Sequence, residues 1–190
     1  MPGLHTGGDG VDRCWWCGDD PLYVAYHDRE WGRPVHDEQR LFEKVCLEGF
    51  QAGLAWITVL RKREAFREAF AGFDPRTVAA FEDEVIGQLL NNSGIIRHRG
   101  KIAATLNNAR ALLAMHERGE TLDSVVWAHA PTGHQQPSDL SQIPGFTVES
   151  TALSKALRKR GFNFVGPTTM YAFMQSMGVV NDHVVGCFSG

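Results

Sequence analysis

Two pairs of thiol and imidazole side chains stand at the ends of this chain. Cys14 and His27 lie near the start, and His183 and Cys187 near the finish, inside Asn181-Asp182-His183-Val184-Val185-Gly186-Cys187. Two thiolates and two imidazoles are the ligand set of a tetrahedral structural zinc site. His183 and Cys187 are four residues apart, so on a helix they share one face and can chelate together. A bond between the chain ends would close a very long loop and pin both termini to one body. The distance between the pairs fits no standard finger. From spacing alone, a zinc site and a set of buried thiols with surface histidines both stay open. Cys17 adds a second thiol in Cys14-Trp15-Trp16-Cys17, and a Cys-x-x-Cys pair can exchange redox state or compete for the metal.

A second constellation is aromatic and centres on one acid. Trp15, Trp16, Tyr23, Tyr26 and Trp31 crowd the opening stretch, and Glu48 lies further on in Cys46-Leu47-Glu48-Gly49-Phe50-Gln51-Ala52-Gly53-Leu54-Ala55-Trp56. A lone carboxylate among apolar neighbours is costly to bury unless it is paired or recognises something. Aromatic faces around it would suit a flat, cationic, hydrogen-bonding ligand. The plainer alternative is that Trp15 and Trp31 fill the core while Glu48 ends a helix in water.

A third candidate is the run Gly161-Phe162-Asn163-Phe164-Val165-Gly166 between two helical segments. Glycines at both ends of a hairpin permit positive φ and close backbone approach to a ligand. Free N–H groups of the hairpin and of the following helix, which starts at Pro167-Thr168-Thr169, can hold a phosphate. Phe162, Phe164 and Val165 are expected to anchor the turn, and Lys155, Arg158, Lys159 and Arg160 bring positive charge just upstream. Such a set suits sequence-independent contact with a nucleic-acid backbone, or is an ordinary helical hairpin with a solvated basic face. Arg61-Lys62-Arg63 and Arg97-His98-Arg99-Gly100-Lys101 are further basic clusters, each weak evidence by itself.

The elements that must position these groups read as helices almost throughout. Asp37 caps a helix through Leu41, Phe42, Val45 and Cys46, and a second apolar stripe runs from Leu54 to Phe70. Asp74-Pro75 opens another helix, and Val85 to Leu90 makes a short one. Arg99 to Glu117 carries apolar residues at helical spacing up to Gly119. Leu122–Ala130 reads as a short helix, Pro131–Phe146 as an exposed loop, and 149–160 and 167–177 as a final helical pair. No alternation long enough for a strand is present. The expectation is an all-α domain over 13–190, preceded by a flexible Gly-rich tail over 1–12.

Bulk properties agree with this and narrow the class. With 190 residues, 43% hydrophobic and 22% charged, the chain can bury one core without disulfides. No apolar run reaches the ~18 residues of a membrane span. Four cysteines without an export signal suggest a reducing compartment, hence a cytoplasmic location. The net charge of −3 argues weakly against nucleic acid, although local charge matters more than the sum. Nothing suggests more than a monomer or an obligate protein partner.

Several long runs then point to one family. Asp20-Pro21-Leu22-Tyr23-Val24-Ala25-Tyr26-His27-Asp28-Arg29-Glu30-Trp31-Gly32, Leu47-Glu48-Gly49 with Gln51-Ala52-Gly53-Leu54, Trp56-Ile57-Thr58-Val59-Leu60, Gly94-Ile95-Ile96-Arg97-His98-Arg99-Gly100-Lys101-Ile102 and Val180–Cys187 resemble the constitutive bacterial DNA-3-methyladenine glycosylase I family. The resemblance covers about Cys14 to Cys187. It implies a helix-hairpin-helix glycosylase fold, with the hairpin at about 149–177, and one structural zinc per chain on Cys14, His27, His183 and Cys187. It further implies that Glu48 and Tyr26 hydrogen-bond an extruded base, with Glu48 a candidate catalytic residue, and that Trp56 stacks on that base. Trp16, Tyr23 and Trp31 would line the pocket. Gly53 and Leu54 would push into the gap left in the duplex, while Lys155, Gly161 and Gly166 would touch the DNA backbone.

The implied activity is hydrolytic release of N3-methyladenine from double-stranded DNA in base-excision repair. By the same resemblance, Asn181 stands where other glycosylases of the superfamily carry an aspartate, and no lysine nucleophile is evident. A monofunctional enzyme without strand cleavage is therefore expected. The rivals are a non-catalytic module that holds alkylated DNA, a glycosylase for other N3-alkyl purines, and a thiol–disulfide protein using Cys14 and Cys17. The last would need a βαβ context that this chain lacks.

Overall fold

A computed structural model describes residues 3–190; Met1 and Pro2 lie outside the described part. Strands β1 (Leu4–Thr6) and β2 (Asp12–Cys14) form an antiparallel pair with Leu4 opposite Cys14. Ten helices follow among the described residues: α1 (Pro21–Arg29), α2 (Glu38–Gln51), α3 (Trp56–Leu60), α4 (Arg63–Ala69), α5 (Pro75–Ala79), α6 (Glu84–Asn91), α7 (Arg99–Glu117), α8 (Leu122–Trp127), α9 (Val148–Lys159) and α10 (Pro167–Ser176). No helix among the described residues is long and apolar enough to cross a membrane.

Helices start where polar caps stand. Asp37 accepts from Arg40 N at 2.9 Å to open α2, and Asp74 accepts from Thr77 N at 3.0 Å ahead of Pro75 in α5. Thr121 and Thr147 begin α8 and α9 with reciprocal capping boxes. The two longest helices, α2 and α7, bury their apolar faces at the centre, through Phe42, Val45 and Phe50 on one and Ile102, Leu106 and Leu112 on the other. Phe50, Phe66, Phe70 and Phe73 extend that core as a column, with successive ring centroids 4.5, 6.3 and 5.5 Å apart. Each buried Phe contributes roughly 1.5–3 kcal/mol. Emptying the Phe50 site with alanine would cost about 3–5 kcal/mol.

A second, smaller apolar cluster joins the chain ends through Cys14, Tyr26, Trp31, Leu60, Val184 and Cys187. Here the structure departs from the sequence reading. The segment read as a flexible tail is a hairpin from Leu4 onward. It is tied to the far end of the chain by Phe188 N donating to Asp12 O at 3.0 Å. Strands of three residues are too short to display the alternation that marks a strand. Residues 181–187 are an irregular turn rather than a helix, so His183 and Cys187 meet by folding back instead of by helical spacing. The stripe from Leu54 to Phe70 divides into α3 and α4, and the loop 131–146 contains a single 3₁₀ turn at Leu140–Gln142.

Candidate active site and metal centre

Cys14 on β2, His27 on α1, and His183 and Cys187 on the C-terminal turn converge, their ligand atoms within 4.8 Å of one another and all four residues buried. Cys14 Sγ lies 3.6 Å from His183 Nδ1, and Cys187 Sγ lies 3.5 Å from His183 Nδ1 and 3.4 Å from His27 Nε2. A tetrahedral ion bound at about 2.3 Å by sulfur and about 2.05 Å by nitrogen separates those atoms by about 3.6 Å. The donor set therefore suits a metal ion, with these three pairs already near tetrahedral spacing. Its outer partners fit too: His27 Nδ1 meets Asp28 Oδ1 at 2.8 Å, and His183 Nε2 meets Trp31 O at 3.1 Å. Both contacts fix the rings with the other nitrogen turned to the centre. Arg13 in turn grips Asp28. Sharing a hydrogen bond with Cys187, together with burial, pushes the Cys14 thiol far up, and ionising both sulfurs would take a cation between them. Cys17 is buried but directs its sulfur to Gly18 O at 3.6 Å, outside the cluster.

Beside this centre lies a cavity of about 370 Å³, within the usual range of small-molecule sites. Trp16, Tyr23, Tyr26, Trp31, Trp56 and Glu48 all line it. The rings brace one another: Trp16 is 4.9 Å from Tyr23 and 5.0 Å from Trp31, and Tyr26 is 5.5 Å from Trp56, between centroids. Glu48 is only 4% exposed, so the alternative in which it ends a helix in water does not hold. The Trp56 indole N–H is buried without an acceptor, a donor left free beside the cavity.

Trp15, placed by the sequence in the aromatic constellation but not in the pocket, is 52% exposed, so it does not fill the core, and it stands at the cavity. Sequence reasoning missed other parts of the lining, Leu140 and Ile143 from the loop after α8 among them. Gln51 and Gln175 supply amides. Gln175 is held by Asp182, whose carboxylate also accepts from the Tyr171 hydroxyl at 2.6 Å and faces His134 at 3.0 Å. Asp182 is thus committed to positioning, while Asn181 accepts from His183 N at 3.2 Å. Lys44 was missed as well: its ammonium reaches Glu48 at 2.9 Å. The carboxylate read as lone is paired, four residues along one helix face, and its charge is offset within the protein.

Gly53, with φ of 83°, and Leu54, 40% exposed, form a tight turn at the end of α2. Leu54 N donates to Gln51 O at 2.7 Å, and Gln51 Nε2 donates back to Leu54 O at 2.8 Å. Lys101 Nζ clamps the approach to this turn, donating to Phe50 O at 2.9 Å and to Ala52 O at 2.7 Å. Of the basic clusters, Arg61 pairs with Asp20, Lys62 donates to Ser93 O, and Arg63 pairs with Glu30. All three bind other parts of the protein, whereas Arg97 and Arg99 are exposed.

The connection between α9 and α10 turns at Gly161, with φ of 94°, and reaches Gly166 as the residue before Pro167 of α10. Phe162 and Val165 anchor it, and Asn108 on α7 grips Asn163 N at 2.8 Å. Phe164 does not anchor it: the ring is 41% exposed on a backbone with φ of 56°, which turns the side chain outward. Lys155 is exposed on α9.

Fold and site together describe a helical protein with an aromatic cavity suited to a flat ring, set against a buried cluster of two thiols and two imidazoles. The chain belongs to the methyladenine glycosylase family, whose model matches residues 16–190. It is 56% identical over 181 residues to DNA-3-methyladenine glycosylase 1 of Escherichia coli K12, covering 93% of this chain and 96% of that one. A crystal structure of 3-methyladenine DNA glycosylase I superposes with a TM-score of 0.90 at 55% identity, over 93% of this chain and 98% of the other. A structure of 3-methyladenine DNA glycosylase I from Staphylococcus aureus, described as the basis of its 3-methyladenine recognition, gives 0.86 at 34% identity, over 90% and 92%.

Proposed function

We propose that this protein is a monofunctional DNA-3-methyladenine glycosylase of base-excision repair, acting in the cytoplasm as a monomer on double-stranded DNA that carries alkylated bases. The observation that carries this reading is the aromatic cavity holding one buried carboxylate, in a chain of the methyladenine glycosylase family. A base in a duplex must leave the stack before such a cavity can receive it, at a cost of a few kcal/mol. Leu54 on its exposed turn fills the gap, and Gly53 lets the backbone close on the strand. The α9–α10 pair acts as a helix-hairpin-helix element, in which Gly161, Gly166 and Lys155 grip phosphates.

Methylation at N3 gives the base a positive charge and weakens its bond to the sugar. The N9–C1′ bond breaks with its electron pair going to the base, which departs neutral. Water adds to C1′ and releases a proton to solvent. No acid is needed to protonate the leaving base. An undamaged purine would need one, so it survives even if it enters. Trp56 stacks on the cationic ring, and each such cation–π contact is worth ~0.5–2 kcal/mol. Glu48 accepts from the base, while Tyr26 supplies the second hydrogen bond.

The metal is zinc, one per chain, held by Cys14, His27, His183 and Cys187. With four protein ligands it has no open position and serves as a structural clamp between the chain ends. The test is chromatographic identification of the bases that the purified protein releases from methylated DNA, alongside a gel for strand breaks. Free 3-methyladenine without strand cleavage is the expected result. Tight binding to methylated DNA with no base released would make the protein a non-catalytic module instead.

A further inference from the structure

Lys44 has no part in the excision chemistry described above, yet its ammonium is buried against the base cavity. Nζ lies 2.9 Å from Glu48 Oε1, donates to the Tyr26 hydroxyl at 2.8 Å, and stands 3.3 Å from the centroid of the Trp56 ring. All three partners line the base cavity. Lys44 itself lines a separate space of about 30 Å³ that shares Tyr26 and Trp56. A position that needed only filling would take methionine or leucine, since burying an ammonium is costly unless its partners use it.

The geometry has a directional consequence. An ammonium has donors and no acceptor. It therefore occupies Glu48 Oε1 and a lone pair of the Tyr26 oxygen. Glu48 Oε2 is left to accept from a ligand, and the Tyr26 O–H is left to donate.

We propose that Lys44 is a positioning residue of the base pocket, holding Glu48 ionised and aimed as an acceptor, and Tyr26 as a donor, under acidic conditions where a buried carboxylate alone would take up a proton. This rests on the assignment of the cavity to the extruded base. The other charged groups nearby are themselves engaged: Glu30 with Arg63 at 2.6 Å and Glu43 with Arg67 at 2.8 Å, with Arg40 at the edge of the same small space and Tyr23 across the cavity. Burial pulls the Lys44 ammonium below the ordinary lysine value, and the Glu48 charge beside it works the other way. The substrate owes its charge to methylation and not to a proton. The acid side of the excision profile therefore reports on the protein.

The test measures 3-methyladenine release from methylated DNA between about pH 5 and 8 for the zinc-loaded parent, Lys44→Met and Lys44→Arg. Without the cation the carboxylate protonates at higher pH. A shift of one unit makes Lys44→Met lose about tenfold more of its rate than the parent on the acid side. Lys44→Arg keeps the parental profile. A Lys44→Met profile of parental shape, even at a uniformly lower rate, overturns the proposal. If Lys44→Met does not fold, Lys44→Gln, which removes the charge and keeps a donor, takes its place with the same readout. Glu48→Gln serves as the control: excision at the parental rate in that variant would remove the base-pocket assignment itself, whichever way Lys44 behaves.

Discussion

Cys14 Sγ and His183 Nδ1 lie 3.6 Å apart although 169 residues separate them in the chain. That closure joins β2 to the last turn and places Cys14, not its neighbour Cys17, in the cluster proposed to hold zinc. Metal analysis of purified variants should find about one zinc in the parent and in Cys17→Ser, and far less in Cys14→Ser. Thiolate and neutral imidazole must both be deprotonated to bind, so zinc is lost as pH falls. Equal losses in the two variants would mean that both sulfurs serve the metal.

Gly32, with φ of 76°, sits directly beneath a proposed ligand. A Cβ there would stand 2.8 Å from His183 Nε2, the nitrogen that meets Trp31 O. Gly32→Ala should therefore tilt the imidazole and weaken zinc retention against a competing chelator by roughly 10–100-fold, the usual cost of disturbing a metal's outer partners. Unchanged retention would show that the turn at 31–33 can move aside.

Glu48→Gln removes the acceptor proposed for the base and strands the Lys44 ammonium in the protein interior. Excision should fall by at least about tenfold while affinity for DNA is kept, since phosphate contacts supply most of the grip. Stability should drop by about 3–5 kcal/mol, the cost of breaking one side of a buried pair. The double variant Lys44→Met with Glu48→Gln should recover most of that loss in thermal melting without regaining excision. No recovery would mean that the two side chains are not energetically coupled.

Lys101→Met releases the carbonyls of Phe50 and Ala52, so the turn bearing Leu54 loosens. Loss of these charge-assisted bonds should cost about 1–3 kcal/mol. Excision from duplex DNA should fall more than excision from single strands, where no gap needs filling. Equal effects on both substrates would detach Lys101 from the turn's role.

How much of this was legible beforehand depended on the range of the interaction. Helices α2, α5 and α7 were readable because their caps and apolar stripes are local: Asp37, Asp74-Pro75 and the Arg99–Glu117 spacing lie within a few residues of what they control. The hairpin was not, because its three-residue strands are held by contacts with the opposite end of the chain. The ligand types at 14, 27, 183 and 187 were visible, but their meeting in an irregular turn was not. Lys44, Glu48 and Gln51 fall at i, i+4 and i+7 on a face of α2 otherwise surrounded by buried apolar residues. That polar stripe was a usable signal for a paired acid beside a cavity. Gln175 carried no such mark, since its role comes from Asp182, which only the folded chain brings to it.

The most direct test is to digest one alkylated duplex with the purified protein and compare the release of 3-methyladenine with that of undamaged adenine from the same strands. The cavity and its paired acid predict rapid liberation of the charged base and none of the neutral one above background. Comparable liberation of both, or of neither, would contradict the account.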